Sequence, residues 1–266
     1  MNNLFYKIEG SGIPLILIHG FTGNHKSFEI VSKYLSQYFK VISVDLIGHG
    51  NSMIYDESFY NFEKSTKLLT DLIESLDINK VNVLGYSLGG RTALHLGLKY
   101  KKNINKLILC STSYGIEGEE NRKSRILSDK KIIDLLTEKT IDDFVEFWES
   151  LSIWDSEKKL GVSARKKLRA IRKSQNPLGL SLSLKYQGQG VQSNLLNYLD
   201  KIVNNTMILY GENDIKYEKI SKKMSKAIRN SKTIVVPHSG HNIILENHIF
   251  VSRAVKNFIL GVKNDN

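Results

Sequence analysis

Apolar and polar positions follow two rhythms along this chain. Leu15–His19 opens with four consecutive apolar residues, the pattern of a strand buried on both faces. Lys26–Tyr38 then places Phe28, Val31, Leu35 and Tyr38 near helical spacing. Val41–Leu46 reads as a second strand. Lys64–Leu76 is helical, with Leu68, Leu69, Leu72, Ile73 and Leu76 on one stripe. Val81–Leu84 is a strand that runs directly into Gly85-Tyr86-Ser87-Leu88-Gly89, and a helical stretch follows to about Tyr100. Lys106–Cys110 is another strand. Strands alternating with helices predict βαβ units and a mostly parallel sheet flanked by helices.

The alternation stops at about Ser113. As far as Asp200 the patterns are helical only, as in Ile132–Leu136, Ile141–Trp148 and Ala164–Ile171. It resumes with a strand at Thr206–Tyr210, a helix at Tyr217–Ile228, a strand at Thr233–Val236 and a helix at Glu246–Leu260. The expected organisation is an α/β core of residues 1–112 and 201–266, interrupted after about the sixth strand by a helical cap of residues 113–200. A cap placed there covers the carboxyl ends of the strands, where open α/β sheets bind ligands.

The pentapeptide Gly85-Tyr86-Ser87-Leu88-Gly89 matches G-x-S-x-G. Between a strand and a helix, this motif forms a sharp turn that exposes the serine. Its glycines remove side chains that would clash, and the helix N-terminus supplies positive potential. On these residues the chain resembles the α/β-hydrolase-fold family. That resemblance implies a base in the loop after the last strand and a carboxylate after the strand before it. His241, preceded by Gly240, is the expected base, with His238 as its rival in the same loop. Asp214, in Gly211-Glu212-Asn213-Asp214, is the expected carboxylate, with Glu212 as rival. The order Ser87, Asp214, His241 is that of the fold. Asp214 could equally cap the following helix. The turn His19-Gly20-Phe21 implies an oxyanion hole made by the N–H groups of Phe21 and Leu88. The segment from Asp45 to Ser52 is expected to shape the fold and is assigned no chemistry. The family usually has proline where Ile47 stands.

Composition narrows the partners. The chain has 266 residues, 41% of them hydrophobic, enough for one buried core. Its formal net charge is +11, and nine Lys and Arg residues lie between Lys158 and Lys185 with no Asp or Glu among them. Most of these read as a solvated helix face, with a few free to turn inward and bind anions. No nucleic-acid motif accompanies the charge, so nucleic acid is not an expected partner. Met1–Gly10 lacks a signal-peptide pattern, and apolar runs such as Leu15–Ile18 are too short to cross a bilayer. The expectation is a cytoplasmic protein with no integral membrane association. Cys110, the single cysteine, is expected to be a buried thiol.

The resemblance goes further. Gly85-Tyr86-Ser87-Leu88-Gly89-Gly90-Arg91 and Gly211-Glu212-Asn213-Asp214-Ile215-Lys216-Tyr217 resemble segments of the 2-succinyl-6-hydroxy-2,4-cyclohexadiene-1-carboxylate (SHCHC) synthase family of menaquinone biosynthesis. So do Phe147-Trp148, Arg172-Lys173-Ser174-Gln175-Asn176-Pro177 and Tyr186-Gln187-Gly188-Gln189-Gly190, although the family usually has G-T-G at the last three positions. The resemblance implies elimination of pyruvate from a small multiply carboxylated substrate, with neither a metal nor an organic cofactor. It also implies that the serine, activated by the histidine, acts as a base. Arg91, Arg125 and Arg172 match its carboxylate-binding arginines, and Tyr86 and Trp148 its pocket residues. Arg122, Lys123 and Arg169 are rivals in the cap. An arginine fork suits carboxylates because it can bind both oxygens.

Two other functions use the same features. A carboxylesterase or carbon–carbon bond hydrolase shares fold and triad, and would turn over p-nitrophenyl esters through an acyl-serine. A noncatalytic protein binding anions or membrane surfaces through a basic cap would show salt-dependent vesicle binding without turnover.

Overall fold

The computed structural model describes residues 4–262. Seven strands form one sheet in the order β1-β3-β2-β4-β5-β6-β7. They are β1 (Tyr6–Glu9), β2 (Pro14–Ile18), β3 (Lys40–Val44), β4 (Val81–Tyr86), β5 (Ile104–Cys110), β6 (Asn205–Gly211) and β7 (Ser231–Val236). β1 pairs antiparallel with β3, and every other pairing is parallel. The unbroken apolar run of β2 is explained by the pleat, which sends successive side chains to opposite faces. Ile16 and Ile18 join one core layer, with Leu69 and Ile73 of α2 (Phe62–Ser75) and Leu94 of α3 (Leu88–Lys99). Leu15 and Leu17 join the other, with Val31 and Leu35 of α1 (Glu29–Leu35) and Val251 and Val255 of α10 (His248–Leu260).

Two boundaries differ from the hydrophobic pattern. The helix expected over 26–38 begins as a 3₁₀ turn at His25–Phe28, because Asn24 caps it by accepting from the Lys26 N–H. The helix expected over 246–260 is two, α9 (Ile243–Glu246) and α10. Asn247 lies between them with extended φ, and its side chain caps α10 at the Phe250 N–H.

Between β5 and β6 the chain is helical: α4 (Glu119–Glu138), α5 (Ile141–Ser150), a 3₁₀ segment Ser152–Lys159, α6 (Val162–Lys173) and α7 (Pro177–Gln187). This insertion follows the fifth strand, one earlier than expected. The sequence pattern showed four strands before it, and the structure adds one, β1. The insertion has its own apolar cluster, built on Phe144, Val145, Trp148, Trp154 and Leu180. α7 seats it on the core, where a Cβ on Gly179 would come within 2.2 Å of the Gly48 carbonyl oxygen. Gln187 Nε2 donates to Ser65 Oγ (2.8 Å), and the Gly50 N–H donates to Gln175 Oε1 (3.0 Å). The loop after β3 is held by buried Asp45, which accepts from the N–H groups of His25 and Asn51. Cys110 is buried and free, and burial pushes its thiol pKa up. Among the described residues no helix is long and apolar enough to cross a membrane.

Candidate active site

The turn from β4 into α3 is the tightest point of the core. Ser87 has φ 51° and ψ −108°, a conformation that costs an ordinary side chain of order 1–3 kcal/mol. It is held there by surroundings that admit no alternative. A Cβ on Gly85 would lie 2.2 Å from the Gly89 carbonyl oxygen, and one on Gly89 would lie 2.0 Å from that of Ile18. The Ser87 N–H donates to the Cys110 carbonyl (2.9 Å), and Thr112 Oγ1 donates to the Ser87 carbonyl (2.7 Å).

The structure brings Ser87, His241 and Asp214 together. Ser87 Oγ lies 3.2 Å from His241 Nε2, and His241 Nδ1 lies 2.9 Å from Asp214 Oδ2. With its proton on Nδ1, the ring donates to Asp214 and presents Nε2 to the serine. Asp214 also caps α8 (Ile215–Ala227), since its Oδ1 accepts from the Tyr217 N–H at 3.2 Å. Its two oxygens thus serve both roles that the sequence left open. The rivals meet each other at the surface, where Glu212 accepts from the His238 N–H (2.8 Å) and the His238 side chain is 91% exposed. The turn after β2 adjoins the serine, because a Cβ on Gly20 would touch the Tyr86 ring at 2.9 Å and Ser87 Cβ at 3.4 Å. Phe21 and Leu88, the first residue of α3, line the same cavity as the serine.

Ser87 and His241 open onto a cavity of about 430 Å³ between the sheet and the insertion. Four cationic side chains line it, Arg91, Arg125, Lys216 and, at the exposed rim, Lys131. Arg91 is buried and donates to two neutral oxygens, the Gln187 carbonyl (2.5 Å) and Gln192 Oε1 (3.0 Å). Burial lowers its pKa to about 10, with Arg125 adding to the effect. Arg125 donates to Asp129 Oδ1 (2.7 Å) and Gln189 Oε1 (2.6 Å). Burial raises the Asp129 pKa, against the pull of Arg125. Burial lowers the Lys216 ammonium pKa, reinforced by Arg125. The cavity therefore concentrates positive charge in a poorly solvated space, which favours a ligand with more than one anionic group.

Aromatic rings form the opposite wall. Phe21 packs on Trp148 (5.3 Å between centroids), Trp148 on Trp154 (5.6 Å) and Trp154 on His241 (5.5 Å). Tyr217 lies 4.4 Å from the His241 ring, and its hydroxyl accepts from Gln189 Nε2 at 2.9 Å. The Tyr86 hydroxyl and the Trp148 indole N–H are buried without a hydrogen-bond partner among the described residues. Such groups are costly until a ligand meets them.

Arg172 is not brought to this cavity. Its guanidinium donates to Glu149 Oε1 (3.1 Å) and twice to Glu157 (3.1 and 2.9 Å), and lies 5.1 Å over the Trp154 ring. Two carboxylates already occupy it, so the rival Arg169, which pairs with the same Glu149, is equally engaged. Of the other cap rivals, Arg122 donates to the Gly190 carbonyl, and Lys123 pairs with Glu119 on the surface. Sequence reasoning missed Asp129, Trp154, Gln189, Lys216 and Tyr217. Lys216 and Tyr217 stood in a quoted motif, next to Asp214. Among the described residues no three His, Cys, Asp or Glu side chains are grouped as metal ligands would be.

His95 sits on α3, two turns past the serine, and stacks on Phe62 at 4.3 Å. Burial lowers its pKa from 6.5 to about 4, with Arg91 adding to the effect. The unfolded chain therefore takes up this proton first. The stability contribution is complete above about pH 6.5 and is lost as pH falls towards 4. In His95→Phe the loss of unfolding free energy between those limits should be shallower by up to about 1.4 kcal/mol per pH unit. Urea titrations at several pH values would check this, and parallel slopes for both proteins would refute it.

The alpha/beta hydrolase fold family matches residues 13–198. A putative SHCHC synthase of Bacillus subtilis (strain 168) is 28% identical over 249 residues, covering 93% of this chain and 90% of that one. The SHCHC synthase of Escherichia coli (strain K12) is 29% identical over 238 residues, covering 89% and 90%. The solved structure of MenH from S. aureus superposes with a TM-score of 0.93 at 31% identity, covering 99% of this chain and 100% of that one. A thermophilic esterase from Thermogutta terrifontis, 24% identical with a TM-score of 0.84 over 97% of this chain and 93% of its own, shares the fold. On this sheet, this serine turn and these similarities, the chain belongs to the α/β-hydrolase-fold family and, within it, to the family of MenH.

Proposed function

We propose that this chain is a carbon–oxygen lyase of menaquinone biosynthesis, an SHCHC synthase. It would eliminate pyruvate from 2-succinyl-5-enolpyruvyl-6-hydroxy-3-cyclohexene-1-carboxylate. The observation that carries this reading is a Ser-His-Asp triad at the end of a cavity lined by Arg91, Arg125 and Lys216. An ordinary ester needs no such set of cations beside its serine, whereas a substrate with three carboxylates does.

Substrate and product define the chemistry. The ring loses a proton at C2 and the enolpyruvyl group at C5, while its double bond moves from C3–C4 to give C2–C3 and C4–C5. His241 takes the Ser87 proton, Asp214 stabilises the resulting imidazolium, and the Ser87 oxygen removes the C2 proton. Electrons pass through the ring and break the C5–O bond, and the departing enolate of pyruvate takes up a proton. The succinyl ketone beside C2 gains negative charge as its proton leaves. The N–H groups of Phe21 and Leu88 are the donors assigned to it. Arg91, Arg125 and Lys216 hold the carboxylates, with Tyr86 and Trp148 as further pocket groups. Residues 113–200 act as a cap over residues 1–112 and 201–266, excluding water from the cavity. Arg172, paired with Glu149 and Glu157, braces the cap. A cytoplasmic location completes the proposal.

The test is pyruvate release from the enzymatically prepared substrate, against its spontaneous decay. Release well above that background supports the lyase. Release at background, with rapid turnover of p-nitrophenyl esters and an acyl-serine visible by mass spectrometry, would replace it with an esterase.

A further inference from the structure

His241 is the one triad member carried by an irregular loop, so its placement needs a cause. The ring bonds to Ser87 and Asp214 explain its orientation but not what holds the backbone beneath it. A second carboxylate does so. Glu246, at the end of α9, accepts from the Gly240 N–H through Oε2 (2.7 Å) and from the Asn242 N–H through Oε1 (3.0 Å). Those are the N–H groups of the two residues on either side of His241. Ser156, from the 3₁₀ segment of the insertion, donates to the same Oε1 at 3.0 Å. Contact there is close, since a Cβ on Gly240 would come 2.2 Å from Ser156 Oγ. One residue further along, Asn242 Nδ2 donates to Glu157 (2.8 Å), the carboxylate that Arg172 holds.

We propose that Glu246 is a positioning residue for His241, clamping the N–H groups of the residues on both sides of it, and that Ser156 and Glu157 make the seating of the insertion part of the same clamp. Charge-assisted bonds to an anionic acceptor are stronger than neutral ones, so the two from Gly240 and Asn242 add firmly to the backbone bond that the Ser239 carbonyl accepts from Asn213 (2.9 Å). A histidine that must shuttle a proton at about 3 Å loses rate steeply when it drifts by an ångström. The clamp also gives the insertion a means of reporting its position to the triad. When the 3₁₀ segment lifts, Glu246 loses the Ser156 hydroxyl and Asn242 loses Glu157, while the core keeps its fold.

The inference rests on the proposed triad, so its test carries two readouts: kcat for pyruvate release, and the rate at which a fluorophosphonate labels Ser87. The second needs only an activated serine and no particular substrate. Glu246→Ala should lower kcat and the labelling rate at least 20-fold, with KM within about twofold of wild type. Glu246→Gln, which keeps an acceptor oxygen, should recover part of both. Asn204→Ala controls for stability, since Asn204 braces the Lys101 and Ile104 carbonyls at the far end of β5 and should leave both rates unchanged. Rates within threefold of wild type in Glu246→Ala, or an equal fall in Asn204→Ala, would overturn the positioning role. Pyruvate release at background in the wild type would sink the substrate assignment alone, and serine labelling would still judge Glu246.

Discussion

Ser87→Ala should bring pyruvate release down to the spontaneous rate of substrate decay, a loss of three or more orders of magnitude in kcat, with the fold intact. The triad acts as a unit. His241 Nε2 has the serine hydroxyl 3.2 Å away, and removing that oxygen leaves no base facing the ring proton. Stability gives the experiment a second dimension. Alanine inherits the strain of φ 51° and ψ −108°, so Ser87→Ala should unfold near the wild-type temperature. Ser87→Gly relieves that strain and should be more stable than Ser87→Ala by about 1 kcal/mol, although equally inactive. Pyruvate release and thermal melts on the three proteins would check both halves. A wild-type rate in Ser87→Ala would remove the serine from the chemistry, and a less stable glycine variant would remove the strain.

Ser87 was legible because the turn needs particular residues in sequence order, with glycines where backbones touch and a serine between a strand and a helix. Local rules of that kind survive without coordinates. β2, β4 and β5 were legible because sheet strands buried on both faces are dominated by apolar residues. β1 was not, since Tyr6, Lys7 and Ile8 are exposed at the sheet edge and leave no apolar signature. Arg172 shows the limit for site residues. A run of Lys and Arg without acidic neighbours in sequence reads as free charge, yet Glu149 and Glu157 come from other elements to occupy it. Gln189 lay in a recognised segment, yet only the packing of the turn after α7 on α4 brings it beside Arg125, whereas Asp129 lies one helical turn from Arg125 and was open to a spacing argument.

The insertion does two things that a sequence pattern cannot separate. Its apolar cluster places Trp148 and Trp154 over the cavity, which is a matter of shape. Its polar residues Ser156 and Glu157, the latter held by Arg172, reach the loop of His241 and Glu246, which is a matter of coupling. The basic residues that remain exposed on α6 belong to neither. They account for part of the net positive charge without entering the site, so that charge by itself says little about the substrate. What bears on the substrate is the smaller set of cations that line the cavity.

Arg91 is the clearest of these, and its removal should cost the most binding. Its guanidinium is buried, its hydrogen bonds go to neutral oxygens of Gln187 and Gln192, and burial lowers its pKa to about 10. A charge kept in that state is poorly compensated in the free protein and well placed to gain from an incoming carboxylate. Arg91→Met, which keeps most of the stem and removes the charge, should therefore lower kcat/KM by roughly 2–5 kcal/mol, about 30- to 5000-fold. Its effect on folding should be much smaller, within about 2 kcal/mol, because the desolvated charge and its hydrogen bonds disappear together. Arg91→Lys restores the charge without the planar fork and should fall between the two. Steady-state kinetics and urea unfolding on the same preparations decide the matter. An unchanged kcat/KM in Arg91→Met would make the arginine a structural brace between α3 and α7. A fall in kcat/KM with stability nearly preserved would mark it as a cation held in reserve for the substrate.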